Sequence, residues 1–203
     1  KEVFQKSFQG YNSNHLVQHL YKRFPKAVVD ETLEKYKIGT AKHWLGATVF
    51  WQIDIEGKIR TGKIILYDPE TGKRVKEPFN HINWIHSVLK LENFQLKQCF
   101  FGEHLLKEDL DKPVAIVESE KTAITCSICS PELIWLAAGS LQNLSIEKAI
   151  VLKGRRVFLF PDLNGYDQWN EKAKSISFYY RDIVFTVSQL LEQNATEEER
   201  KEG

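Results

Sequence analysis

Three short apolar runs in the second half of the chain constrain its fold more than any other feature. Pro113-Val-Ala-Ile-Val117, Leu133-Ile-Trp-Leu-Ala137 and Arg156-Val-Phe-Leu-Phe160 do not alternate polar with apolar residues. A strand with one wet face alternates, whereas a strand covered on both faces reads as a continuous apolar run. Ser119–Cys129 and, more weakly, Ile146–Leu152 lie between these runs with helical character. Gly165–Ser175 follows as a polar helix, and Asp182-Ile-Val-Phe185 as a fourth strand. Strand and helix alternating across short links predict a parallel sheet flanked by helices.

The first half has a different grammar. Leu16, Leu20 and Phe24, then Val28, Val29 and Leu33, recur at helical spacing, and Pro25 divides them into two short helices. From Ala47 the period changes. Ala47–Asp54 and Lys63–Tyr67 are β-branched and aromatic, joined through the turn Glu56-Gly57-Lys58, and Asp68-Pro-Glu-Thr-Gly72 reads as a second turn. Residues 1–110 are therefore expected to form helices followed by a small antiparallel sheet, and residues 111–191 an α/β domain. Residues 192–203, with five acidic and two basic side chains, are expected to be a frayed helix or a disordered tail.

Composition sets the outer limits. Of 203 residues 42% are hydrophobic and 27% charged, which suits a globular chain rather than a disordered one. The charge of +1, from 28 basic and 27 acidic residues, leaves no global field to attract nucleic acid, so any such partner must meet local patches. No apolar run reaches the roughly 18 residues of a membrane span, and the expected location is cytoplasmic. The chain opens at Lys1 and has no methionine, so it is expected to be a piece of a longer protein. No Walker loop, G-x-S-x-G elbow or dinucleotide fingerprint is present, which excludes the P-loop ATPase, serine-hydrolase and Rossmann readings. Cys126-Ser-Ile-Cys129 has metal-ligand spacing but no second pair, so these are expected to be two buried structural cysteines.

In an open parallel sheet, ligands gather at the carboxyl ends of the strands. Glu118 directly follows the first run, Asp162 follows the third, and Asp167 lies about one helical turn further on. Clustered carboxylates repel one another and are tolerated mainly around a hard divalent cation such as Mg²⁺ or Mn²⁺, whose other partners are phosphates. The alternative is that these acids cap the helices that follow them.

The wording around those acids adds to their position. Val114-Ala-Ile-Val-Glu118-Ser-Glu120-Lys121-Thr-Ala123, then Ala138-Gly139-Ser140, then Val157-Phe-Leu-Phe-Pro-Asp162 resembles the Toprim domain of primases, topoisomerases and some nucleases. The resemblance covers about residues 112–186. Tyr36-Lys-Ile-Gly39, Val49–Asp54, Gly57-Lys-Ile-Arg60 and Gly62-Lys63 are similar to the segment preceding Toprim in bacterial replicative primases. The whole resembles primase-like proteins of mobile elements, in which a zinc-binding segment lies upstream. The sequence departs from the pattern at Ser119, where glycine is usual, and at Asn164, where the acidic motif usually has a second aspartate.

The resemblance implies a Toprim-like parallel sheet preceded by a small α+β primase-like subdomain. It implies Mg²⁺ or Mn²⁺ held by Glu118, Asp162 and Asp167, with Glu118 as general base, and nucleotidyl transfer from nucleoside triphosphates on single-stranded DNA. A replicative helicase is an implied partner. Because Asn164 brings no charge, a catalytically weakened nucleic-acid-binding module stays open, as does a Toprim nuclease. Basic residues supply candidate nucleic-acid contacts: Arg60, Lys63 and Arg74 in the first part, beside Phe50, Trp51 and Tyr67, and Lys121, Lys153, Arg155 and Arg156 in the second. The alternative is a solvated charged surface with its aromatics in the core, where Phe50 and Trp51 are expected.

Overall fold

The computed structural model describes residues 2–202. The chain divides into two compact units between Gln98 and Cys99, ahead of the expected boundary near 110. Residues 99–110 belong to the second unit for a plain reason. Phe101 exchanges backbone hydrogen bonds with Ala137, at 3.0 and 3.1 Å, and Arg155 hydrogen-bonds the carbonyls of Leu106 and Asp109.

The first unit opens with a short helix, α1 (Glu2–Lys6), followed by α2 (His15–Tyr21) and α3 (Lys26–Lys35). Pro25 occupies the position before α3, so the predicted division stands. Asn14 caps α2 by accepting from the Val17 amide at 3.2 Å. The same buried amide accepts from Thr48 Oγ1 at 2.8 Å and donates to the Gly39 carbonyl and Thr40 Oγ1, which ties the helix to the sheet. That sheet is antiparallel in the order β1 (Ile38–Thr40), β2 (Thr48–Ile53), β3 (Ile59–Ile65), β4 (Ile82–Trp84), and α4 (Ile85–Val88) follows directly. Every residue of β2 is buried, so Phe50 and Trp51 are core residues. Gly62 of β3 must be glycine, because a Cβ there would lie 2.9 Å from Val49, Trp51 and Ile85. At the β2–β3 turn the buried Asp54 accepts from the amides of Glu56 and Lys58, and pairs with Arg60 at 2.5 Å.

The second unit holds a four-stranded parallel sheet in the order β6-β5-β7-β8, with β5 (Val114–Val117), β6 (Ile134–Ala137), β7 (Arg156–Leu159) and β8 (Val184–Val187). Helices α5 (Glu120–Cys129), α6 (Ile146–Ala149) and α7 (Tyr166–Tyr179) alternate with the strands. β5 and β6 are wholly buried, as their unbroken apolar wording implies. Trp169, Ala173 and Ile176 are the buried face of α7. The expected fold class is therefore the observed one. β8 begins two residues later than expected, and the tail forms the short helices α8 (Leu190–Asn194) and α9 (Glu197–Glu202), the helical one of the two expected alternatives. The cysteine expectation is corrected: Cys126 is half-buried and Cys129, the last residue of α5, is exposed. Burial, and then the neighbouring Cys129, push the Cys126 thiol up from its ordinary value. Among the described residues no helix is long and apolar enough to cross a membrane.

Candidate functional site

The strand order locates a crevice. From β5 the chain crosses to β6 on one side, then passes to β7 on the other side of β5, so the direction of winding reverses between β5 and β7. Ligands of open parallel sheets sit at the carboxyl ends of the strands flanking such a reversal. The ladder pairs Ile116 with Leu159 and is extended by the Phe160 amide donating to the Ile116 carbonyl at 2.9 Å. Glu118 lies two residues beyond Ile116 and Asp162 three beyond Leu159, so both acids emerge at the same rim from adjacent strands.

The turns at that rim explain why these residue types stand there. The loop after β6 docks on β5: the Ala138 amide donates to the Val117 carbonyl at 3.0 Å and the Gly139 amide to the Glu118 carbonyl at 2.8 Å. Gly139 has φ +81°, a conformation that side-chain-bearing residues adopt only under strain. Ser119, where glycine is usual, is the N-cap of α5. Its hydroxyl accepts from the Thr122 amide at 3.1 Å, so the side chain at the N-cap is that of Ser119. Beyond β7, the Gly165 amide donates to the Asp162 carbonyl at 2.9 Å and closes a tight turn into α7. A Cβ on Gly165 would lie 2.8 Å from that carbonyl. Asn164 sits in this turn at φ +67°, a conformation asparagine tolerates better than most residues. Its Nδ2 donates to the Arg200 carbonyl at 2.9 Å. Gly165, and no side chain, occupies the N-cap of α7, and Asp167 lies in the first turn of that helix.

Glu118 is half-buried, while Asp162 and Asp167 are exposed. Among the described residues no three His, Cys, Asp or Glu side chains are grouped to hold a metal ion. Among the described residues the rim is thus not a preformed cage of three such ligands. Its donors are all oxygens. A divalent cation that takes most of its ligands from water and substrate phosphates needs only one or two such carboxylates, so the donor set fits Mg²⁺ or Mn²⁺.

The basic residues are dispersed. Lys121, in the first turn of α5, is at the acidic rim. Lys153, Arg155 and Arg156 precede or open β7 and therefore lie at the opposite, amino end of the same strand. Arg155 is corrected as a nucleic-acid contact. It is 7% exposed, and its guanidinium donates to the carbonyls of Leu106, Asp109 (2.7 Å) and Lys112 (3.2 Å), tying residues 106–112 to the sheet. Lys153 lies 4.9 Å from the centre of the Tyr180 ring, and Arg156 is exposed. In the first unit, Arg60 is engaged by Asp54, Lys63 is half-buried on β3, and Arg74 is exposed. The aromatics beside them in sequence are buried, as expected for Phe50 and Trp51: Phe50 is 0%, Trp51 3% and Tyr67 2% exposed. The exposed rings of that unit, which sequence reasoning missed, are in loops. The signal available was Phe79 standing between Pro78 and Asn80 in an otherwise polar stretch.

A family model described as "Domain of unknown function (DUF6371)" matches residues 14–163. No curated protein matches the chain. Among solved structures, one described as the DnaG primase catalytic domain bound to ssDNA is similar with a TM-score of 0.56 at 13% identity, over 99% of this chain and 77% of that one. The DnaG catalytic core is similar with a TM-score of 0.47 at 12% identity, over 85% and 68%. The Aquifex aeolicus primase (zinc-binding and RNA polymerase domains) gives 0.46 at 10%, over 95% and 61%. At such identity the likeness is one of fold.

Proposed function

The chain belongs to the DUF6371 family, and we propose that it is a primase-like Toprim protein making primers on single-stranded DNA by metal-dependent nucleotidyl transfer. We further propose that it serves the replication of mobile elements in the cytoplasm, with nucleoside triphosphates as substrates and a replicative helicase as partner. The observation carrying this reading is that Glu118 and Asp162 follow the ends of adjacent strands at the winding reversal of a primase-like sheet, with the Gly139 loop hydrogen-bonded to the Glu118 carbonyl. The residues that would hold Mg²⁺ or Mn²⁺ are Asp162 and Asp167, with Glu118. Such an ion, when bound, neutralises charge on the phosphates of the incoming nucleotide.

The chain's own groups have separate tasks in this reading. Glu118 is the acceptor for the proton of the attacking hydroxyl. Its position is fixed from both sides, by the β5 ladder and by the Gly139 amide on its carbonyl. The Asp162–Gly165 turn fixes Asp162 relative to Asp167, because a single short turn joins the strand end to the helix carrying the second acid. Lys121, on the same rim, is the phosphate contact in this reading.

A second reading has its own support. Asn164 gives its amide to Arg200, and no three acids are gathered among the described residues. A Toprim fold with a weakened acidic site would bind nucleic acid without catalysis. Ribonucleotide incorporation on a single-stranded template with Mg²⁺ separates the two. Primers from the wild-type chain and none from Asp162→Ala support the enzyme. Template binding without incorporation supports the binding module.

A further inference from the structure

Phe50, Trp51 and Tyr67 are buried and offer no face to a base, so single-strand contact in the first unit needs other rings. A ladder of four lies in its loops. Phe79 stacks on His81 with centroids 4.3 Å apart and planes 19° from parallel. His81 meets Trp44 edge-on at 5.1 Å, and Trp44 meets His43 at 4.3 Å. Trp44 packs against the core cluster of Val49, Trp51 and Ile64, so the ladder is anchored from beneath. His43 is held on the β4 side, its Nε2 lying 3.1 Å from the Asn83 amide. At the outer end Phe79 is 54% exposed.

A large ring held in place yet left open to water is a ready surface for another π-face. Its surroundings decide the class of partner. The His81 amide donates to the Val75 carbonyl at 3.2 Å, which sets Val75's neighbours Arg74 and Lys76 beside the ladder, and Lys42 adjoins His43. All three cations are exposed, with Glu77 the one acid between residues 73 and 83. Rings interleaved with cations match the alternation of bases and phosphates along a single strand, and base stacking on aromatic side chains is tolerant of sequence.

We propose that Phe79, backed by His81 and Trp44, is a base-stacking platform for single-stranded DNA, with Lys42, Arg74 and Lys76 meeting the flanking phosphates. The platform rests on the single-strand reading above and names the surface that reading lacks. It works by two separable contributions. Phe79 supplies affinity that does not depend on salt, and the cations supply the salt-dependent part.

Fluorescence anisotropy of a labelled oligothymidylate against the 203-residue chain tests it, with melting curves confirming that each variant is folded. Phe79→Ala is expected to weaken binding by about 5- to 150-fold with an unchanged salt slope, following the usual worth of one stacked base. Phe79→Trp is expected to retain affinity, and Phe79→Leu to fall with alanine. Arg74→Gln is expected to flatten the slope of log affinity against log salt by about 0.7. If the wild-type chain binds and Phe79→Ala binds equally well, the platform is overturned while the single-strand reading stands. Full affinity in Phe79→Leu overturns stacking in favour of a plain apolar contact. If the wild-type chain binds no single strand, the single-strand reading falls and the platform with it.

Discussion

Replacing Arg155 by methionine separates a structural arginine from a nucleic-acid contact. Methionine keeps an unbranched apolar stem of similar reach, so the loss is confined to the guanidinium. That group donates to three backbone carbonyls, of Leu106, Asp109 and Lys112, and the bond to Leu106 is fully buried. A hydrogen bond from a charged group contributes about 1.5–3 kcal/mol, and an orphaned buried acceptor costs about 1–3 kcal/mol. The bonds to Asp109 and Lys112 are partly buried, and water replaces part of their worth, so the net loss is about 3–5 kcal/mol. At about 4–8 °C per kcal/mol for a domain of this size, the second unit should melt on the order of 12–40 °C lower. Arg156→Met, at the exposed neighbouring position, should change stability by no more than about 0.5 kcal/mol. Thermal unfolding followed by circular dichroism reads both. An Arg155→Met protein that melts with the wild type and loses single-strand affinity instead would refute this assignment.

Asp54 offers a pH test. Burial raises its pKa, but the Lys58 amide, the Arg60 guanidinium and the Glu56 amide outweigh burial and hold it below the ordinary carboxylate value. A depressed folded-state pKa means that the stabilisation is present above the unfolded value of about 3.9 and is lost as pH falls through the lower folded value. Acid titration of stability should therefore show a steeper loss below about pH 4 in the wild type than in Asp54→Asn. Gly139→Ala, at φ +81°, should cost about 1–2 kcal/mol and loosen the loop that bonds the Glu118 carbonyl. Slower primer synthesis at unchanged template affinity is the expected signature. Trp169→Ala, which removes the largest side chain of the buried face of α7, should destabilise by about 3–5 kcal/mol in urea unfolding.

Much of the second unit is legible from its wording because β5 and β6 are covered on both faces, and burial of that kind leaves an unbroken apolar run. β8 is an edge strand with Val184 and Thr186 exposed, so its pattern is weaker and its start is read two residues early. The strands β1 and β4 have three residues each, too few to show a period. The positions of Glu118 and Asp162 at strand ends are readable, but their adjacency depends on β5 pairing with β7 as well as β6, which no local pattern encodes.

Adjacent basic residues mislead for a related reason. Successive side chains at a strand point to opposite sides, so Arg155 is buried while Arg156 is exposed. Aromatics beside cations in sequence likewise do not reveal which rings face water, since β2 is buried throughout and the exposed Phe79 lies in a loop. Asn164 is more informative in structure than in sequence. There it reads as a lost ligand, whereas its positive φ shows the turn requirement that asparagine meets.

Titration of Mn²⁺ in the presence of a nucleoside triphosphate, followed by the loss of the free-ion paramagnetic resonance signal, tests most directly whether residues 118 and 162 share one ligand crevice. Saturable binding by the wild-type chain, weakened at least about tenfold in both Glu118→Gln and Asp162→Asn, is the expected result, since each removes one charged oxygen ligand of a hard cation. Binding that persists unchanged in both variants would contradict the shared crevice.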